Sequence, residues 1–530
     1  MKNCPNCNAS IPDASKFCPS CKFKIENCAI KKQSTVMHCV NCGAELTKDA
    51  ICCIECGADV TVSGATELTL TNDTKSETLG SDNVNVSSVS DVNQFHEEDD
   101  EEKLRQAKED TENYSIIENG VLKKYSGDSA LVIIPDDVTE IGCEAFKDCG
   151  GITCIIIPNS VTSIGNGAFE KCKSLTTVKI PDSVTSIGTY AFRYCESLTS
   201  VVIPDSVTSI EPDTFAFCTN LTSVKIPNSV TSIGNGAFWG CTSLTSIKIP
   251  NSVTFIGDCA FRNCARLTSI EIPSSVTSIG NRAFENCLAL TALEIPEGVT
   301  SIGYRAFNDC QMLTSFKIPS SVTKFGAQVF LGCKNIRKLS LSQDNKHFTL
   351  MDGAILSKDL KNLIEYISLN NVTHFSIPNG VTSIDNCTFS GCTNLKSIES
   401  PNSVTSIGYS AFYGCTSLTS IKIPDSVVNI SDNAFHGCTS LTSIKISSNV
   451  TSIGWSAFEG CTSLTSIDIP KGVTSIGNHA FSGCTSLTSI EFPRSVKTIG
   501  EHVFSGCKSL EKVKIPLFCK CKSDWKENIK

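Results

Sequence analysis

Apolar and polar residues along most of the chain recur with a period of 23 residues. Within each of two blocks the step never slips: nine units run from Pro135 to Leu341, and six run from Pro378 to Ile515. A repeat of this length predicts a solenoid, because one unit cannot bury its apolar side alone whereas stacked units share a continuous core. Proline marks the first place of each unit, with Ser447 as the exception, at Pro135, Pro158, Pro181, Pro204, Pro227, Pro250, Pro273, Pro296, Pro319, Pro378, Pro401, Pro424, Pro470 and Pro493.

The unit at residues 227–249, PNSVTSIGNGAFWGCTSLTSIKI, shows the pattern within one repeat. The L-x-x-I-x-I run at 244–249 predicts a short strand of alternating buried and exposed positions, which ends at Pro250 because proline cannot donate a ladder hydrogen bond. On the return path Gly234 predicts a turn with positive φ. The Ala-Phe pair at 237–238 predicts a short helical corner. The sequence therefore predicts a mainly β solenoid whose units each carry one short strand and one helical corner.

Two segments interrupt the period, and each contains a hairpin signal. Residues 114–134 hold an Asn-Gly pair between apolar runs, and residues 342–377 hold an Asp-Gly pair in a similar setting. Both dipeptides favour tight β-turns. The first segment is predicted to be an N-terminal cap hairpin, and the second a hairpin insertion that joins the two blocks.

The consensus of the units carries a family resemblance. The pattern I-P-x-S-V-T-S-I-G-x-x-A-F-x-x-C-x-S-L-T-S, with I-x-N-G-V-L-x-K-Y before the first unit, closely resembles the BspA-like class of leucine-rich repeats over about residues 114–516. The resemblance implies a curved solenoid with a surface or adhesive role in binding other proteins. Members of that class usually carry an export signal or an anchor.

Eight cysteines near the N-terminus form two tetrads of the same spacing, C-x2-C-x10-C-x2-C. Two Cys-x-x-Cys knuckles can reach one ion, and four thiolates suit a tetrahedral Zn²⁺ site. The arrangement over residues 1–60 resembles a double zinc ribbon, which implies two structural zinc ions; Cys28 and Cys52 are interpreted as non-ligands. The predicted ligands are Cys4, Cys7, Cys18, Cys21, Cys39, Cys42, Cys53 and Cys56.

Four protein ligands leave no open coordination position for a substrate, so this metal is expected to fold two small modules rather than to catalyse. Redox sensing by thiolate release and nucleic-acid binding are the alternatives. Elsewhere the chain has no G-x-G-x-x-G, Walker A, G-x-S-x-G or H-E-x-x-H motif, and its seven histidines share no common spacing. The prediction is that the protein is not an enzyme and has no small-molecule substrate.

A further cysteine recurs once in each unit. Stacked, parallel side chains do not give the Cβ approach and dihedral angle that a disulfide needs, so these residues are predicted to be small buried hydrophobes. The column consists of Cys149, Cys172, Cys195, Cys218, Cys241, Cys264, Cys287, Cys310, Cys333, Cys392, Cys415, Cys438, Cys461, Cys484 and Cys507.

The net charge of −9 lies in one segment, because residues 61–113 contain 4 basic and 14 acidic residues. That composition predicts an acidic flexible linker, and no region is basic enough to favour nucleic acid. The N-terminal residues show no apolar signal segment, and no apolar run is long enough to span a membrane. A cytoplasmic location is therefore expected, with the cell surface by a non-classical route as the alternative.

The predicted organisation combines these segments in chain order. It comprises a double zinc ribbon at 1–60, an acidic flexible linker at 61–113, a cap hairpin at 114–134, repeat block 1 at 135–341, a hairpin insertion at 342–377, repeat block 2 at 378–515 and a C-terminal tail at 516–530.

Aromatic residues concentrate beside the Ala-Phe corner, which makes that edge the candidate surface for a protein partner. The alternative is that each ring only covers its own turn. The function predicted overall is a non-enzymatic protein-interaction scaffold; a surface or secreted adhesin and a zinc-dependent nucleic-acid-binding protein are the second and third hypotheses. The candidate contact residues are Tyr190, Tyr194, Phe217, Trp239, Tyr304, Tyr409, Tyr413 and Trp455.

Overall fold

The computed structural model describes residues 2–3, 10–11, 37–38, 45–46, 97–517 and 519–521. Its contacts divide the chain into two units, Met1–Ser81 and Asp82–Lys530. The eight predicted zinc ligands and most of the predicted linker lie outside the described residues.

The first unit contains two antiparallel strand pairs of the same register. Lys2–Asn3 pairs with Ser10–Ile11, and Met37–His38 pairs with Glu45–Leu46. In sequence, each pair flanks the first Cys-x-x-Cys of one tetrad in the same way. The described strands of this unit therefore repeat one pairing arrangement in its two halves.

The second unit is a solenoid in which most coils contribute two strands. The first kind, here called the front strand, is three or four residues long, and most front strands pair in parallel with the front strand 23 residues further along. Its middle residue is buried between exposed neighbours, as the alternation predicts. The front strands are Leu131–Ile133, Cys154–Ile156, Thr177–Lys179, Ser200–Val202, Ser223–Lys225, Ser246–Lys248, Ser269–Glu271, Ser315–Ile318, Lys338–Leu341, His374–Ser376, Ser397–Glu399, Ser420–Lys422, Ser443–Lys445, Ser489–Glu491 and Lys512–Lys514.

The second kind, here called the side strand, is two residues long and was not anticipated from the sequence. It forms on the predicted return path and also pairs in parallel, for example Ser232 with Phe255. Two residues give too short an alternation to distinguish from a turn. The side strands are Glu140–Ile141, Ser163–Ile164, Ser186–Ile187, Ser209–Ile210, Ser232–Ile233, Phe255–Ile256, Ser278–Ile279, Ser301–Ile302, Lys324–Phe325, Ser383–Ile384, Ser406–Ile407, Asn429–Ile430, Ser452–Ile453, Ser475–Ile476, Thr498–Ile499 and Lys520–Cys521.

The corner of each repeat is a series of turns, so the prediction of a helical corner is wrong. In the unit at 227–249, Ala237 N donates to Gly234 O within the coil, at 3.3 Å. The next amide, Phe238 N, donates instead to Ala260 O of the following coil, at 2.8 Å. Amides continue to alternate in this way to the end of the corner. A helix would keep all these donors within one coil, so neighbouring corners would not be hydrogen-bonded to each other.

The glycine that opens the corner has a different role from the predicted one. Gly234 does not have a positive φ; a Cβ there would lie 2.7 Å from Ile210 O of the preceding coil. Glycine at this place therefore permits close stacking of neighbouring backbones. Positive φ occurs two and six residues later, at Gly236 and Gly240.

A column of stacked phenylalanines lies inside each block. Neighbouring rings are nearly parallel, with centroids 5.0–6.3 Å apart. Tyr125 begins the column of block 1 and Tyr366 begins that of block 2. Because the rings come from every coil, each block has one continuous core along its length.

The start of block 1 is covered by a helix and a hairpin. The hairpin strands are Ser115–Glu118 and Val121–Tyr125. The helix Glu97–Tyr114 packs against the first front strand, where Ile133 N donates to the buried Thr111 hydroxyl at 3.2 Å. The last turns of this helix, which belong to the segment predicted as an acidic linker, bury Ala107 and Thr111 over the open edge of the sheet.

The insertion forms the three strands Phe348–Met351, Ala354–Ser357 and Asn362–Tyr366, followed by a 3-10 turn at Leu369–Asn371. The last of these strands pairs in parallel with the first side strand of block 2. The middle strand buries Ile355 in the core of block 1 and its neighbours Ala354 and Leu356 in the core of block 2. The insertion therefore packs against the hydrophobic cores of both blocks.

The repeated cysteines form a column of hydrogen-bond donors. Thirteen of their Sγ atoms donate to a phenylalanine carbonyl 26 residues earlier, at 3.0–3.3 Å, and none of the fifteen forms a disulfide. Burial raises the pKa of these thiols, to about 12 at Cys264 and Cys438. A buried, protonated thiol is a poor nucleophile.

This column predicts a sharp contrast in thiol reactivity. In the native chain at pH 8, maleimide should label the exposed Cys143 readily, while column thiols such as Cys241 react about a hundredfold more slowly because a coil must open first. Peptide mapping by mass spectrometry, with and without urea, measures both rates. Labelling of Cys241 as fast as Cys143 in the absence of urea would contradict the packing described.

Candidate interaction surface

The corners of the repeats force two backbone positions into the left-handed region in every coil. These are the ninth and thirteenth residues after the first place of the unit, and all fifteen coils have positive φ at both. Block 2 uses glycine at the thirteenth place in all six coils. Block 1 instead holds side chains there in most coils, including Tyr194 at φ 61° and Phe217 at φ 62°. A non-glycine residue in this region costs roughly 1–2 kcal/mol, so glycine is the low-strain choice.

Three of the aromatic residues predicted as contacts occupy these strained positions. Tyr190, at φ 62°, lies at the ninth place of the same coil as Tyr194. The Tyr194 and Phe217 rings stack with centroids 4.7 Å apart, and Phe217 contacts the Trp239 ring at 5.0 Å. The four side chains, Tyr190, Tyr194, Phe217 and Trp239, are here called the first aromatic cluster.

Two arginines lie over rings of the first aromatic cluster. These arginines were not identified from the sequence. The Arg193 guanidinium carbon lies 5.1 Å from the Tyr190 ring centroid and 4.9 Å from that of Tyr194. Arg262 lies 5.1 Å from the Trp239 ring centroid. Such contacts stabilise by about 0.5–1 kcal/mol at exposed sites. The signal available in the sequence was the arginine at the twelfth place of both coils.

Two N–H donors in and beside this cluster have no hydrogen-bond acceptor among the described residues. Tyr190 is 39% exposed, whereas the other three rings are half-buried. The Trp239 Nε1 and Arg193 Nε donors are shielded from solvent and make no hydrogen bond within the described chain. Burial raises the pKa of the nearby Asp213, and Arg193 acts in the opposite direction. The surface therefore offers apolar area, and two donors buried directly beneath it lack acceptors in the part of the chain that the structure describes.

The remaining predicted contact residues lie further along the same edge. Tyr304, Tyr409 and Tyr413 come from both blocks, yet they line one cleft of about 330 Å³ together with Arg305. Tyr413 also stacks on His436, with centroids 4.8 Å apart. Trp455 is 55% exposed and stands two coils beyond Tyr409, so the structure does not bring it into the cleft. The three tyrosines with Arg305 are here called the junction cleft.

The titratable groups of the solenoid form no metal-binding cluster in the part of the chain that the structure describes. No three histidine, cysteine or acidic side chains there are placed to hold one ion. His479 and His502 stack on each other at 5.1 Å. Within the same residues, no helix combines the length and apolar character needed to cross a bilayer.

Comparison with known families matches both parts of the sequence. The model described as "BspA type Leucine rich repeat region (6 copies)" matches residues 116–245, 231–352, 365–484 and 456–523. The model described as "Double zinc ribbon" matches residues 4–61, which supports zinc binding by the N-terminal unit. No curated protein matches the chain.

Solved structures of bacterial proteins are similar to this chain. A leucine rich cell surface protein from Faecalibacterium prausnitzii is 29% identical, over 78% of this chain and 95% of its own, with a TM-score of 0.42. A leucine-rich repeat protein from Bacteroides ovatus is 32% identical, over 76% of this chain and 94% of its own, with a TM-score of 0.41. The prediction of a leucine-rich repeat solenoid preceded by a double zinc ribbon is confirmed: this chain belongs to the BspA-type leucine-rich repeat family.

Proposed function

We propose that the protein is a non-enzymatic scaffold whose solenoid binds a protein partner through the corner edge. The observation that carries the proposal is the first aromatic cluster, in which Tyr194 and Phe217 hold left-handed backbone positions that glycine fills in every coil of block 2. Strained backbone positions concentrate at functional sites, and here glycine would relieve the strain at the same position. Tyrosine, tryptophan and arginine are also the residue types that dominate binding energy at protein interfaces.

The front face supports this assignment by contrast. Its exposed column mixes lysine and acidic residues, such as Lys248 and Glu271 on adjacent front strands, and carries serine two places earlier. Such a face keeps the solenoid soluble but has no large aromatic anchor. The contact residues proposed are therefore those of the corner edge, in the first aromatic cluster, in the junction cleft and at Trp455.

The aromatic cluster can be tested with residues that the repeat itself uses. The variant Tyr190→Asn, Tyr194→Asn and Trp239→Ser places asparagine and serine where other coils already have them. We expect it to remain folded and to capture partner proteins from the source organism's lysate at least about tenfold more weakly, because several anchors are lost together. Immobilised full-length chain and quantitative mass spectrometry measure the capture.

The control makes three comparable changes in block 2, at the ninth place through His479→Asn and His502→Asn and at the twelfth through Glu459→Ser; the thirteenth place is already glycine there. It should capture the same proteins as the wild type. Equal loss in both variants, or no loss in the first, would contradict the proposed surface.

We propose that the N-terminal unit holds two structural zinc ions, one in each cysteine tetrad. The two hairpins of identical register that flank Cys4–Cys7 and Cys39–Cys42 in sequence support this assignment, since a zinc ribbon presents its ligands on such hairpins. The residues that would hold the ions are Cys4, Cys7, Cys18, Cys21, Cys39, Cys42, Cys53 and Cys56.

The zinc content of variants tests each of the two tetrads separately. The reduced full-length chain should carry two zinc ions, Cys7→Ser and Cys42→Ser should each carry one, and the double variant none, because each site needs four thiolates. Elemental mass spectrometry after desalting gives the ratio. Cys28→Ser is the control and should keep both ions; loss of zinc in that variant would refute the assignment of ligands.

A cell-surface or secreted adhesin is the second candidate function, and membership of the BspA-type family favours it over a cytoplasmic scaffold. The exposed Cys143 distinguishes the two locations. If the protein is cytoplasmic, a membrane-impermeant maleimide should label Cys143 only after the cells are permeabilised. Labelling of intact cells that disappears in Cys143→Ser would instead establish the surface location.

A further inference from the structure

Between successive corners of the described residues, the hydrogen-bond pattern is interrupted at the junction of the two blocks. The coil of the insertion is short there: eleven residues separate Leu363 from His374, against thirteen between their partners Ile384 and Ser397. Its corner is therefore truncated and cannot stack on the last corner of block 1. A gap remains between the corners of the two flanking coils.

Backbone groups on the block 1 side of this gap lack their usual acceptors. In a regular corner the ninth, eleventh and thirteenth amides donate to the next coil. At the junction, Gln328 N and Gly332 N donate to no acceptor among the described residues. The amide between them, Phe330 N, donates to the Glu365 carboxylate at 2.9 Å. The gap is thus polar although it lies beside two apolar cores.

Glu365 is a buried carboxylate without a cationic partner. It is 4% exposed, accepts hydrogen bonds from Val329 N and Phe330 N, and forms no ion pair in the described chain. Glu285 is buried to the same degree, but one of its oxygens lies 2.7 Å from Arg262 Nε. Buried charges in proteins are normally paired, so Glu365 is the exception.

A cavity of about 320 Å³ adjoins this carboxylate. Tyr366 also lines it; the ring is buried, and its hydroxyl makes no hydrogen bond within the described chain. Thr393 and Lys334 are exposed lining residues. The volume falls at the lower end of the range for ligand pockets, roughly 300–1,000 Å³.

We propose that this cavity binds the ammonium or guanidinium group of a lysine or arginine side chain of a partner peptide. The inference rests on the proposed function, because it requires a protein partner. An inserted cation would neutralise Glu365, and it would donate to the free oxygen lone pairs of that carboxylate and of the Tyr366 hydroxyl. The long aliphatic stem of either side chain suits a cavity beside two apolar cores.

The binding should depend on pH. Burial raises the pKa of Glu365 to about 7, so the carboxylate becomes charged as pH rises from 6 to 8 and attracts a cation more strongly. Lys334 is a basic residue that also lines the cavity, and Arg305 Nε donates to Gln328 Oε1 at 2.6 Å. Burial raises the pKa of the Cys387 and Cys392 thiols and of the Tyr366 phenol. A hydrogen bond with Cys310, together with burial, raises the pKa of Cys333. These groups therefore stay neutral over this range.

The test uses the full-length chain and two synthetic peptides, acetyl-Gly-Ser-Lys-Ser-Gly-amide and the same peptide with norleucine in place of lysine. Calorimetric titration at pH 8 should show the lysine peptide binding about tenfold or more tightly than the norleucine peptide. The lysine peptide should bind more weakly at pH 6. Equal binding of the two peptides, or no binding of the lysine peptide at pH 8, would overturn the proposal.

Variants assign the effect to this cavity. Glu365→Gln should remove the preference for lysine, whereas Glu285→Gln, at the paired carboxylate, should leave it unchanged. If Glu365→Gln fails to fold, Thr393→Arg tests the same point, because it supplies a guanidinium at the cavity and should block the peptide, while Thr393→Gln should not. A lysine preference that survives Thr393→Arg would exclude the site.

The outcome is separable from that of the proposed function. Lysate capture that depends on the first aromatic cluster but is unchanged by Thr393→Arg would uphold the scaffold and refute the cation cavity. Loss of capture in Thr393→Arg alone would place the partner at the junction rather than at the first aromatic cluster.

Discussion

The constraint on which this molecule depends is the fixed register of 23 residues between neighbouring coils. It places the same residue type above itself in every turn, so each side chain needs to be compatible with a copy of itself. Threonine meets this condition by donating its hydroxyl to the threonine carbonyl one coil back, as Thr254 does to Thr231. Asparagine meets it by accepting the amide of the next coil, as Asn235 does from Asp258. The polar residues that repeat along the sequence thus form ladders of hydrogen bonds between neighbouring coils.

The same register explains which features could be predicted from the sequence. The unit length and the buried places follow directly from the spacing, and so does the column of buried cysteines. The corner could not be predicted, because the Ala-Phe pair is equally compatible with a helix, and the alternation of bonds within and between coils depends on a neighbour one period away. Gly234 was assigned a positive φ for the same reason: its close approach to the preceding coil exists only in the stack.

For the candidate surface, sequence reasoning identified the aromatic residues but not their arrangement. It placed Tyr304 and Tyr409 in different blocks, and only the insertion, which acts as a shortened coil, brings them to one cleft. The arginines were not identified because the sequence alone does not distinguish a basic residue that contacts an aromatic ring from one that is simply solvated. Glu365 was hidden within an irregular segment, where no periodic comparison marks a buried place.

The insertion and the N-terminal cap have one design. Each is a hairpin that leads into a coil with a shortened corner, and each begins a phenylalanine column with a tyrosine, Tyr125 or Tyr366. Because every coil contacts only its neighbours, whole units can be added or removed between these fixed ends without disturbing either. Gain or loss of one unit between Trp239 and Tyr304 would change the distance between the first aromatic cluster and the junction cleft by about 4.8 Å. The spacing between the two aromatic sites can therefore change only by whole coils. Unequal recombination within the repetitive gene segment would change that spacing by one or more such steps.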